Sequence, residues 1–180
     1  MKIPRVAIVA ALVVAGVALF IANGNTNRST HNSTDVMFAQ MMIPHHQQAI
    51  DMADMALNPS RHAIEELRNL ASEMKTAQTM EVAKLTQLLQ QWGEPIVMHH
   101  HEDMQDGMLS SPELSVLRKK QGPTFDQSWA RLMIAHHRGA LSMVRAFDTG
   151  ASLEIQKLNR DIVKAQGQEI TLLEQIANSR

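Results

Sequence analysis

The chain has 180 residues, a formal net charge of -1 and an isoelectric point near 6.8, so it offers no basic field to attract nucleic acid. Cysteine is absent, which removes disulfides, thiolate metal sites, iron–sulfur clusters and covalent c-type haem. Methionine reaches 13 while aromatics are only 3%; methionine fills irregular cores, so its abundance alone fits an ordinary interior.

At the N-terminus, Lys2 and Arg5 precede an unbroken apolar run from Val6 to Ala22. That run is slightly long for a signal-peptide core and just long enough to span a bilayer. Ala22-Asn23-Gly24 supplies small residues for cleavage after Gly24. Residues 1–24 therefore read as a signal peptide or as an N-terminal membrane anchor using residues 6–22, and both readings stand. Either way the basic residues stay inside, and the rest is exported to the periplasm or cell surface. Residues 25–34 form a polar linker.

Beyond the linker the signals are helical. Apolar spacings of three and four predict a helix over Asp35–Leu57, with Thr34 as cap and Asn58-Pro59 as stop. Ser60 is the expected cap of a second helix reaching about Gln91, with an apolar stripe of Ile64, Leu67, Leu70, Met74, Ala77, Met80 or Glu81, Leu85 and Leu88. Residues 93–123 read as a connector containing a short helix, opened by Ser111-Pro112-Glu113 and closed by Gly122-Pro123. A third long helix is expected over about Thr124–Asp148. After a Thr149-Gly150 turn, Ser152 opens a fourth that ends near Ala177. No useful segment alternates with the period of a strand.

The first and third helices are near-copies. Met42-Ile43-Pro44-His45-His46, with Met52 beyond, aligns without a gap on Met133-Ile134-Ala135-His136-His137, with Met143 beyond, 91 residues later. The second and fourth helices echo each other at 88 residues, where Leu67, Leu70, Gln78 and Glu81 align with Ile155, Leu158, Gln166 and Glu169. The fold class is therefore all-α: a four-helix bundle of two duplicated hairpins, repeat one at 35–92 and repeat two at 124–178, behind the N-terminal transmembrane or signal helix.

A core needs apolar bulk but not histidine. On a helical wheel centred on His45, Phe38 and Met52 fall within about 20° and His46 about 100° away, so His45 lies mid-face and His46 on its flank. The third helix repeats this around His136 and His137. Paired histidines among thioethers suit a soft ion such as copper, with Met42, His45, His46, Met52, Met133, His136, His137 and Met143 as candidate ligands. The plain alternative is a pair of core histidines, each satisfied by a Gln or Glu such as Gln78, Glu81, Gln166 or Glu169. Pro44 removes one backbone bond and is expected to kink the first helix.

A second candidate lies in the connector, where Met98, His99, His100, His101 and Met104 stand among Glu102, Asp103 and Asp106. Such a tract holds Cu(II) through imidazole and carboxylate, Cu(I) through imidazole and thioether, or zinc. The alternative there is a solvated loop.

The doubled Met-Ile-x-His-His motif followed by Ala and Met, with Gly122-Pro123-Thr124-Phe125-Asp126 leading into the second copy, resembles the exported ferritin-like family labelled domain of unknown function 305. The resemblance covers roughly residues 35–177. It implies a ferritin-like bundle and, by similarity to periplasmic copper-binding members, the same eight motif residues as ligands. Two departures stand out: Gln48 replaces a glycine, and Met143-Val144 replaces Met-Ala.

The reading is thus an exported, non-enzymatic copper-binding protein for sequestration or transfer, taking Cu(I), Cu(II) or both, and Ag(I) or Zn(II) in vitro. Its partner is the metal ion, with no protein partner named by the sequence. A metal-free helical module that binds an envelope protein is the alternative. A di-iron oxidase is disfavoured because no Glu-x-x-His occurs, and His/Met haem ligation rests on residue types alone.

Overall fold

The computed structural model describes residues 31–97 and 106–179. The predicted leader and linker up to residue 30, and Met98, His99, His100, His101 and Met104 of the connector, lie outside the described residues. Among the described residues there are five α-helices and no strand: α1 Ser33–Leu57, α2 Glu65–Trp92, α3 Ser111–Arg118, α4 Gly122–Ala146 and α5 Leu153–Ala177. None is long and apolar enough to cross a membrane.

The helix boundaries follow local chemistry, with three corrections to expectation. Asn32, not Thr34, caps α1: its side chain accepts from the Asp35 amide while the Asp35 carboxylate accepts from the Asn32 amide. Ser60 does not open α2. It sits in a 3-10 turn, Pro59–Arg61, because the Asn58 side chain takes its amide; α2 begins only at Glu65, and Ile64, expected in the buried stripe, is exposed in the cap position. Gly122-Pro123 opens α4 rather than closing α3, since Pro is tolerated in a first turn. Ser110 and Glu113 form the capping box of α3, and Ser152 caps α5 as expected. α1 runs unbroken through Pro44.

α1 packs chiefly on α2 and α4 on α5, and the two hairpins join along α1 and α4. Those two helices run antiparallel: the Trp129 indole donates to the Met52 carbonyl at 2.8 Å, while further along His45 meets His136. Each hairpin also caps the other. Ile64 lacks a side-chain cap of its own, and its amide lies 3.4 Å from the Asp126 carboxylate of α4. Asp35, 91 residues before Asp126, accepts from the Ala151 and Ser152 amides at 2.9 and 3.1 Å, at the start of α5. Both carboxylates are buried, and each answers backbone amides that the first turn of a helix leaves without an intrahelical partner.

The apolar core forms two clusters. One holds Met52, Met74, Trp129 and Met133, and the other holds Phe38, Met42, Leu85 and Met143. On α1 and on α4 the His-His pair falls between them in sequence.

Candidate metal centre

All four motif histidines are buried, none more than 1% exposed. The wheel places His45 and His136 mid-face, and their rings lie 3.8 Å apart between centroids, tilted by 36°. The two mid-face histidines of the duplicated motif thus meet at the seam between hairpins. His46 and His137, expected on the flanks, are buried because the second helix of each hairpin supplies a carboxylate. His46 Nε2 lies 2.8 Å from Glu81, and His137 Nε2 lies 2.8 Å from Glu169. The His137 contact is a hydrogen bond, whereas the His46 contact has the distance but not the line of one.

The expectation that Gln78, Glu81, Gln166 or Glu169 would satisfy His45 and His136 is therefore corrected. The two glutamates sit against the flanking histidines instead, and both polar side-chain atoms of Gln78 and the Oε1 of Gln166 are buried without a partner. His45 Nε2 reaches the Asp106 carbonyl at 3.3 Å, and its Nδ1 has no partner. Neither ring nitrogen of His136 is hydrogen-bonded, although the His45 backbone lies close enough to favour its protonation.

Loss of water governs the electrostatics. Burial, reinforced by the neighbouring His46, pushes His45 from its ordinary 6.5 down to about 3. Burial and then His45 hold His136 well below its ordinary value. Both are neutral imidazoles at neutral pH, the form that ligates metals. Glu73 is pushed up by burial and by the charge of Glu169.

The candidate thioethers are also interior. Met42, Met52 and Met133 are fully buried and Met143 nearly so. Met42 and Met143 share one core cluster, Met52 and Met133 the other. Each cluster thus receives one candidate methionine from each motif copy. Among the described residues no three His, Asp or Glu side chains converge on one point, so the zinc type of closed His/carboxylate cage is not preformed there. The candidate donors are two close, tilted, neutral imidazoles with thioethers in the adjoining core, residue types that suit a soft ion.

Sequence reasoning missed the connector's hold on this centre. The Gln48 amide clasps Leu109, donating to its carbonyl at 2.9 Å and accepting from its amide at 2.7 Å. Gln40 donates to the Pro95 carbonyl at 2.7 Å. The connector's two described ends are thus fixed to α1 on either side of His45. In α4 the position equivalent to Gln48 is Gly139, where a Cβ would lie 2.0 Å from the Asp106 carbonyl oxygen. The departure from the repeat at position 48 is explained: one copy grips the connector, and the other makes room for it.

The family model for the domain of unknown function DUF305 matches residues 35–177. The chain belongs to the DUF305 family. Solved DUF305 structures resemble it closely. A fragment from Deinococcus radiodurans is 30% identical, with a TM-score of 0.73 over 82% of this chain and 97% of that one. A DUF305 protein from Streptomyces coelicolor, described as secreted, is 28% identical, with a TM-score of 0.71 over 78% and 90%. CopM in its Cu(II)-bound form is 35% identical, with a TM-score of 0.67 over 79% and 95%, and CopM has also been solved with Cu(I) and with silver. No curated protein matches the chain.

Proposed function

We propose that this DUF305 protein is an exported copper-binding protein that sequesters or hands on copper, with the ion held at the seam between hairpins. The observation that carries the reading is the close His45–His136 pair, buried, neutral and short of hydrogen-bond partners. A buried polar group left unpaired costs about 1–3 kcal/mol, so core histidines serving packing alone would be an expensive choice, made at both copies of the motif. Met42, Met52, Met133 and Met143 adjoin as soft donors, with His46 and His137 beside the close pair. The CopM structures with Cu(II), Cu(I) and silver support the same ion class. Export rests on the Lys2/Arg5 and Val6–Ala22 pattern, with the S. coelicolor relative in agreement. The proposed architecture is a ferritin-like four-helix bundle of two duplicated hairpins. Met98, His99, His100, His101 and Met104 are proposed as an auxiliary site on donor density alone.

The test is silver titration, silver being a Cu(I) mimic without redox chemistry. In a background with His99, His100 and His101 changed to Ala, Ag(I) should still raise the melting temperature, because a ligand of the native state stabilises it by mass action. At one hundred times the dissociation constant the gain is about 2.7 kcal/mol. Adding His45→Ala and His136→Ala should abolish it. No stabilisation by Ag(I) or Cu(I) in the connector-minus background would sink the bundle site and leave the metal-free helical module in front.

A further inference from the structure

Three of the four motif histidines share one pattern. His45 Nε2 hydrogen-bonds the Asp106 carbonyl and His137 Nε2 the Glu169 carboxylate, while His46 Nε2 lies 2.8 Å from the Glu81 carboxylate off the line of a hydrogen bond. In each of the three, Nδ1 is buried with no partner. An oxygen of this kind can only accept, so the ring nitrogen facing it must carry the proton. A second proton on Nδ1 would be a buried donor without an acceptor, at the full desolvation penalty. The low-cost arrangement is the Nε2–H tautomer with a bare Nδ1. Glu81 and Glu169 occupy equivalent places in α2 and α5, 88 residues apart, so both hairpins carry the device.

We propose that Glu81 and Glu169 are positioning residues that hold His46 and His137 in the Nε2–H tautomer, leaving their Nδ1 lone pairs as the atoms offered to the ion. The proposal rests on the copper reading and adds to it which nitrogen binds and what selects it. A carboxylate behind a metal-bound imidazole fixes ring orientation and strengthens the donor, and its loss typically costs about 10–100-fold in affinity. The Asp106 carbonyl plays the same part for His45.

The experiment is nitrogen-15 NMR of the full chain labelled at histidine, which reads the tautomer of each ring directly. In metal-free protein near neutral pH, His46 and His137 should be protonated at Nε2 and bare at Nδ1, and added Ag(I) should shift the Nδ1 resonances. Glu81→Leu and Glu169→Leu should each release the tautomer of their own histidine and weaken silver binding about 10–100-fold. Glu81→Gln and Glu169→Gln, whose amide oxygens still accept, should keep the tautomer and stay within a few-fold of the parent. A proton on Nδ1, on both nitrogens, or a silver shift confined to Nε2 would overturn the assignment while leaving copper binding standing. If the Leu variants do not fold, the tautomer in the unchanged protein decides the matter alone. Silver that shifts no histidine of the bundle overturns the copper reading itself, a result separable from the metal-free tautomers.

Discussion

A neutral imidazole sealed at a helix seam makes folding sensitive to acid. For His45 the folded value, about 3, lies below the ordinary 6.5, so between those limits the unfolded chain binds more protons than the native one. Stability is therefore fully present above about pH 6.5 and declines as pH falls towards 3, by up to about 1.4 kcal/mol per pH unit for one such group. His136 acts in the same direction. Glu73, held above its ordinary value, acts in the opposite sense, its contribution fading as pH rises through the folded value. Urea denaturation of metal-free protein should show a midpoint that falls from pH 7 to pH 4; a flat midpoint would mean that the two histidines are solvated. The mid-face position of these residues was legible from helical periodicity. The burial of His46 and His137 was not, because a single-helix wheel cannot see Glu81 or Glu169 arriving from the neighbouring helix to pair with them.

Among the elements, the connector imposes what the helices would not choose. Glycine inside a helix costs roughly 1 kcal/mol relative to alanine, and Gly139 in α4 and Gly167 in α5 are both helical. Their surroundings differ: a Cβ at Gly139 would lie 2.0 Å from the Asp106 carbonyl oxygen, whereas one at Gly167 meets nothing within 4 Å. Gly167→Ala should therefore stabilise by about 0.5–1 kcal/mol. Gly139→Ala should destabilise by about 1–3 kcal/mol through overpacking. Thermal melts of the two variants check this, and a stabilised Gly139→Ala would show that the connector does not press on α4. Helix existence and type were readable in the chain from spacing and punctuation. The boundaries at Ser60 and Gly122 depart from expectation for one reason: a residue able to cap or close a helix does so only when its groups are free, and Asn58 holds the Ser60 amide while Pro123 suits the first turn of α4.

For the molecule as a whole, the reciprocal caps make the hairpins interdependent. The Ile64 amide finds Asp126 and the Ser152 amide finds Asp35, each across the seam. A fragment of residues 31–97 alone exposes its half of the seam and loses the Asp126 cap. It should show reduced helicity and no cooperative melt by circular dichroism, and mixing it with residues 106–179 should restore both. A cooperative melt of the first fragment alone would refute that dependence. The 91- and 88-residue echoes made the duplication legible, but not which surfaces of the two halves would face each other; that is seen only where His45 meets His136 across the seam. The same close approach removes the insurance that a doubled motif would ordinarily give. Two independent copies could each tolerate the loss of the other, but here the rings meet at one place, so a change in either deprives both. In this chain the doubling created a shared centre without a spare, and a single His45→Ala or His136→Ala is as informative as the pair.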